Sequence, residues 1–169
     1  AMVARAVDTW GRLDIVVNNA GIVRDRAIWN MSVDDFDLVM RVHVRGTWLT
    51  SRAASRHWRE QAKAGHAKGG RIVNTTSRAG LQGNFGQSNY ATAKAAIMGL
   101  TLTLSVELAG IGVTVNAISP GALTRLSAGT VPGATPAEPD ELPAESWDRT
   151  DPRISSPIVA WLASDAAAH

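Results

Sequence analysis

Apolar residues recur along the chain in two rhythms. At steps of three and four, Phe36, Val39, Met40, His43, Thr47, Thr50, Ala54 and His57 form one stripe, which predicts a long helix from Ser32 to about Ala64. Ser32 followed by Asp35 makes a capping-box-like start, with Asp in place of the usual Glu, and Gly65 and Gly69-Gly70 end the helix. A second helix is predicted from about Ser88 to Ala109, closed by Gly110 and Gly112. Met2, Val3, Ala6 and Val7 read as the tail of a helix stopped by Gly11. Between these segments lie short β-branched runs at Leu13–Val17, Arg71–Thr75 and Val113–Ile118, which read as buried strands. Alternating helix and strand predicts a parallel α/β sheet. Residues 78–88 read as a Gly-rich loop, and Pro157–Ala163 as a short closing helix. Residues 127–153 carry Pro132, Pro136, Pro139, Pro143 and Pro152 without apolar periodicity, the pattern of either a functional loop or disorder.

Composition narrows the classes. The chain has 169 residues, 45% hydrophobic and 19% charged, which suits one domain with its own core. Cysteine is absent, so disulfides, thiol catalysis and cysteine-held metals are excluded. A net charge of +2 is too small and scattered to indicate nucleic acid. The apolar runs fall short of the ~20 residues of a membrane span. No secretory signal pattern is visible at the start, and the expected location is cytoplasmic. The tryptophans Trp29, Trp48, Trp58 and Trp161 are expected to pack in the core or between helices. Arg41, Arg45, Arg52, Arg56 and Arg59 read as a solvated or subunit-facing surface.

The candidate chemistry centres on Ser77, Tyr90 and Lys94. Tyr90 and Lys94 stand at i and i+4 near the start of a predicted helix, hence on one face. A tyrosine titrating near ~10 is a poor acid or base at neutral pH. A neighbouring ammonium and the positive helix end are both expected to lower that value. Ser77 ends a predicted strand, where parallel sheets place their ligands, and its hydroxyl can hold a substrate oxygen while Tyr90 exchanges the proton. The three together suit proton transfer between a carbonyl and an alcohol. A Tyr-x-x-x-Lys pair by itself is common on helices. Here it stands with an Asn-Asn-Ala-Gly turn after the first strand and a Pro-Gly turn after the third.

Asn18-Asn19-Ala20-Gly21, Ile72-Val73-Asn74-Thr75-Thr76-Ser77, Tyr90-Ala91-Thr92-Ala93-Lys94 and Val115-Asn116-Ala117-Ile118-Ser119-Pro120-Gly121 resemble the ordered motifs of the short-chain dehydrogenase/reductase family. The resemblance covers about residues 1–126 and 157–165. It implies a doubly wound, Rossmann-like parallel sheet and an oxidoreductase that interconverts a secondary alcohol and a ketone with NAD or NADP, NAD being favoured. It implies Ser77 as the substrate-orienting hydroxyl, Tyr90 as the acid/base, and Lys94 as the residue that binds the nicotinamide ribose and tunes Tyr90. Asn18, Ala20 and Gly21 would support the cofactor side, and Pro120, Gly121 and Thr124 would border the nicotinamide. The stretches 21–26, 42–46 and 83–90 look like the (3R)-hydroxyacyl-CoA dehydrogenase unit of type 2 multifunctional enzymes, which makes an acyl-CoA the implied substrate. A 3-oxoacyl-carrier-protein reductase has a similar loop before its tyrosine. The family's fourth catalytic residue is an Asn on the long helix, where this chain has His43, as that sub-family does. A neutral imidazole can hold a water and relay a proton, or His43 can be a hydrogen-bonded core residue; both readings stand. The resemblance also implies a homodimer or homotetramer paired through the long helix and the Tyr90 helix.

The family opens with a Gly-rich turn that cradles a pyrophosphate. No Gly-x-x-x-Gly-x-Gly turn occurs in this sequence. The expectation is therefore a single incomplete dehydrogenase domain over 1–169: the catalytic half, holding the fourth to sixth strands, with its substrate loop at 127–153. Roughly 80 residues are then wanting, at ~30 per βαβ unit. Such a piece alone is expected neither to bind the cofactor nor to turn over. An inactive α/β piece that only dimerises is the remaining alternative, and no metal site is expected.

Overall fold

The computed structural model describes residues 2–66, 69–121 and 151–167. Three parallel strands form one sheet in the order β1 (Ile15–Asn18), β2 (Arg71–Thr75), β3 (Thr114–Ile118). Helix α1 (Met2–Trp10) leads into β1; α2 (Val33–Met40) and α3 (Gly46–Lys63) lie between β1 and β2; α4 (Ala79–Gln82) and α5 (Ser88–Ala109) lie between β2 and β3; α6 (Ser155–Ala163) follows. The alternation expected from the sequence is present.

The register sets Val16 beside Ile72 and Ile72 beside Val115, a row across one face of the sheet. Ala54 and Trp58 of α3 and Leu104 and Leu108 of α5 pack on that row to form the core. Ile72 and Val73 are wholly buried. A side chain of that size is stabilised by about 1.5–3 kcal/mol on leaving water. Helix α5 is long and apolar enough to cross a membrane by length and composition alone, contrary to the first reading of the runs. Here Ala93, Ile97, Thr101, Leu104 and Leu108 bury one side of it.

Ser32 caps α2 as its sequence promises, its hydroxyl accepting from the Asp35 N–H at 3.1 Å. The long predicted helix is not uniform: residues Arg41–Arg45 form a π-turn between α2 and α3. The buried face beyond it runs through Thr47, Ser51, Ala54 and Trp58, so Thr50 and His57 of the expected stripe give way to their neighbours. The Gly-rich stretch 78–88 holds the short helix α4 as well as loop. Of the tryptophans expected to pack, Trp58 alone is buried among the described residues; its indole N–H donates to the Leu13 carbonyl at 2.7 Å, while Trp29, Trp48 and Trp161 stay exposed. An indole needs a partner for its N–H when buried, and only Trp58 has one at hand. The five arginines of the long helix are exposed.

Candidate active site

The carboxyl ends of the three strands carry the candidate residues on one edge of the sheet. Ser77 follows β2, with its Oγ accepting from the Ala79 N–H at 3.2 Å where α4 begins. Tyr90 lies in the first turn of α5 and Lys94 one turn on. The Ser77 side chain acts on Tyr90, favouring its phenolate. The Lys94 ammonium donates to the Thr75 carbonyl at 2.7 Å, and its Nζ lies 5.4 Å from the Tyr90 ring centroid. Lys94 is 4% exposed, and burial lowers its pKa to about 8. The floor is tied down by Thr76, whose hydroxyl donates to the Lys94 carbonyl at 2.8 Å and whose N–H donates to Ile118 of β3.

Tyr90 departs from expectation. Its pKa is raised, not lowered: burial of the phenol is the largest cause, the Ser77 side chain opposes it, and the Asp25 charge adds to it. A phenolate loses more by leaving water than it regains from Ser77.

His43 stands on the π-turn, 1% exposed. Its ring meets that of Tyr90 edge-on, centroids 5.3 Å apart at 89°. Nε2 lies 2.8 Å from the Ile22 carbonyl and 3.1 Å from the Ile22 N–H, so one tautomer donates and the other accepts. Nδ1 is buried without a partner. Burial is the chief cause that lowers the His43 pKa, and the Lys94 charge adds to it, so the ring is neutral at pH 7. Gly21 lies so near that a Cβ there would sit 2.5 Å from His43 Cε1.

The remaining candidates occupy the same edge with different surroundings. Asn18 ends β1, and its side-chain amide is spent inside: Nδ2 donates to Ser51 Oγ at 3.1 Å and to Asn74 Oδ1 at 2.9 Å, and Asn74 Nδ2 in turn donates to Thr101 at 2.9 Å. It braces β1, β2, α3 and α5 from below. Ala20 is exposed beyond it, as are Pro120 and Gly121 beyond β3. Thr124 and residues 127–150 of the expected substrate loop lie outside the described residues. Three side chains that the sequence reading passed over join the site from the loops. Asp25, Gln87 and Asn89 bond 24–26 to the turn before Tyr90, with Gln87 Nε2 to Asp25 Oδ2 at 2.8 Å and Asn89 Nδ2 to the Arg24 carbonyl at 2.9 Å. Polar residues flanking Tyr90 in a motif otherwise open to solvent were the available signal.

The donor set is suited to a sugar diol beside a carbonyl. Lys94 has two N–H groups beyond the one spent on Thr75, and the Tyr90 hydroxyl can donate or accept. Among the described residues no cluster of His, Asp and Glu could hold a metal ion.

This arrangement has known counterparts. The short chain dehydrogenase family matches residues 1–130. A hydroxyacyl-CoA dehydrogenase of Mycobacterium tuberculosis is 47% identical over 161 residues, 94% of this chain and 49% of that protein. The peroxisomal multifunctional enzyme type 2 of Mus musculus is 39% identical over 98% of this chain and 20% of that protein. The crystal structure of a short chain dehydrogenase from Mycobacterium avium superposes with a TM-score of 0.82 at 46% identity, covering 99% of this chain and 51% of that one. The chain thus spans about half the length, or less, of these relatives. By sequence and by fold, it belongs to the short-chain dehydrogenase family.

Proposed function

We propose that this chain carries the proton-transfer half of an NAD(P)-dependent oxidoreductase that interconverts a secondary alcohol and a ketone, with a 3-hydroxyacyl-CoA as substrate. The observation that supports it best is the convergence of Ser77 and Lys94 on Tyr90, with Lys94 Nζ 5.4 Å from the Tyr90 ring. The nicotinamide, when bound, takes or returns the hydride. Ser77 holds the substrate oxygen, and Tyr90 takes the alcohol proton in oxidation or gives it to the carbonyl in reduction. Lys94 holds the ribose hydroxyls with its spare N–H groups, and its charge favours the phenolate while the proton is in transit. Neutral His43 offers Nδ1 as a buried acceptor beside Tyr90, the place for a relayed proton. The backbone of Ala20–Gly21 and Pro120–Gly121 would border the cofactor, and Asn18 supports it through the sheet. The acyl-CoA assignment rests on the named activity of the M. tuberculosis relative. Subunits pair through the outer faces of α3 and α5, where Trp48, Leu102 and Val106 are exposed.

The test is Tyr90→Phe in the longest polypeptide that the coding region of this chain encodes, assayed with a 3-hydroxyacyl-CoA and with NAD and NADP in turn. Turnover should fall ~10²–10⁴-fold, the usual worth of a general acid/base, while calorimetry shows cofactor binding unchanged. A variant that keeps more than half of the wild-type turnover overturns the assignment.

A further inference from the structure

Tyr90 is delivered to the site by a helix that begins in loop, and something must fix where that helix starts. Three consecutive residues of the distant segment 24–26 do so, each with its own bond. The Arg24 carbonyl accepts from Asn89 Nδ2 at 2.9 Å, Asp25 Oδ2 accepts from Gln87 Nε2 at 2.8 Å, and the Arg26 N–H donates to the Gly86 carbonyl at 2.8 Å. Arg26 and Gln87 pair as a single parallel bridge. Gln87 and Asn89 are 5% and 0% exposed, so their amides depend on these partners. Both reach onward to the helix: the Gln87 carbonyl accepts from the Ala91 N–H at 2.7 Å, and Asn89 Oδ1 accepts from the Tyr90 N–H at 2.7 Å. Of the three bonds, the Asp25–Gln87 one alone carries a charge and joins two side chains.

We propose that Asp25 is a positioning residue for Tyr90, acting through Gln87 on the turn from which α5 starts. This deepens the reading of Tyr90 as the acid/base group and rests on it for its kinetic consequence. The carboxylate acts in two ways. It holds Gln87, and through it the first turn of α5. Its charge also acts on the phenol, while its second oxygen, Oδ1, is buried with no protein donor. The groups facing Tyr90 are Lys94 from α5, Ser77 from the end of β2, His43 from the π-turn and Asp25 from the loop after β1. Asp25 is the anion among them, and its charge works against the phenolate. The site thereby keeps the phenol protonated until the proton is called for.

Tyr90 is the single tyrosine in the sequence, so its ionisation can be read without cofactor or turnover. The phenolate difference absorbance, or the one ¹³Cζ resonance of tyrosine-labelled 169-residue chain, gives the titration midpoint directly. Asp25→Asn keeps an oxygen for Gln87 and removes the charge; the midpoint should fall. Gln87→Glu sets carboxylate against carboxylate and opens the bond; in the longest encoded polypeptide its kcat should drop about tenfold or more. The double variant Asp25→Asn/Gln87→Glu restores a donor–acceptor pair with the roles exchanged, and kcat should return to within about threefold of wild type. Near-UV circular dichroism checks that each variant is folded. An unmoved or raised midpoint in Asp25→Asn overturns the proposal, as does a folded double variant no better than Gln87→Glu. If instead Tyr90→Phe stays active, the mechanism falls while the titration still reads Asp25. The isosteric Asp25→Asn keeps the question decidable should Gln87→Glu not fold.

Discussion

Strands β1 and β2 lie side by side and are built of similar residues, yet they live in different surroundings. In β2, Ile72 and Val73 are both wholly buried. In β1, Val16 is buried while Ile15 and Val17 on the opposite face are 43% and 46% exposed. The face shared by Val16 and Ile72 is covered along its length by α3 and α5. The other face is covered over β2, where α6 packs and Arg71 donates to Ser164 and to Asp165 of the turn after it. β2 is thus held on both sides, and it is from β2 that the chemistry hangs: Thr75 anchors Lys94, and Ser77 meets Tyr90. β1 contributes its end to the same edge from a half-covered position. Precise placement of reacting groups calls for rigid support, and the more enclosed strand supplies it.

The contrast is sharpest in stability. Ile72→Ala opens a cavity in the core and should cost about 2–5 kcal/mol in urea unfolding of the 169-residue chain. Val17→Ala trims a half-exposed side chain and should cost less than about 1 kcal/mol. Equal losses at the two positions would show that the face over β1 is covered in solution.

This difference was hidden in the sequence, because a β-branched run reads the same whether or not a helix covers its second face. What the sequence did disclose was local. Helix α5 runs over Ser88–Ala109 as read, since Gly110 and Gly112 mark its end, and Ser32 caps α2 through Asp35. Ser77, Tyr90, Lys94 and His43, each singled out by a local motif, come together at one end of the sheet. The rest depended on three-dimensional neighbours. The π-turn at Arg41–Arg45 has no signature in a three-and-four pattern. Asp25 lies far along the chain from Gln87, and no local period links them. The sign of the Tyr90 shift turned on burial, which i and i+4 spacing cannot report.

A second pair of substitutions moves the comparison to the site. A Cβ on Gly80, after β2, would lie 2.7 Å from the Ala95 nitrogen and 2.8 Å from the Lys94 carbonyl carbon, both backbone of α5. One on Gly21, after β1, would meet the His43 imidazole at 2.5 Å. Backbone in a core helix cannot yield, whereas a side chain can turn away by giving up its bonds to Ile22. Gly80→Ala should therefore cost about 1–3 kcal/mol and displace Lys94. Gly21→Ala should cost less and act on the proton relay through His43. Urea midpoints, with kcat in the longest encoded polypeptide, separate the two. A larger stability loss at Gly21 would reverse the ranking of the two strand ends.

The last effect is read through pH. Lys94 carries its proton to about pH 8 in the folded chain, against an ordinary lysine value of 10.5 when unfolded. Below pH 8 both states are charged, and the folded one bears the full cost of burying the ammonium. Between 8 and 10.5 the unfolded chain binds more protons, so stability rises with pH across that window. Above it both are neutral and the gain is complete. Tyr90 acts in the opposite sense, but only above its ordinary value of 10.0, because its folded pKa is raised. The interval from 8 to 10 therefore belongs to Lys94. At ~1.4 kcal/mol for each unit between the two values, the rise should be on the order of 3 kcal/mol. Lys94→Met removes the titrating group while keeping most of the stem, and its unfolding free energy should be flat over the same interval. A wild-type profile as flat as that of Lys94→Met would mean that Lys94 is solvated, and that β2 does not hold it on Thr75.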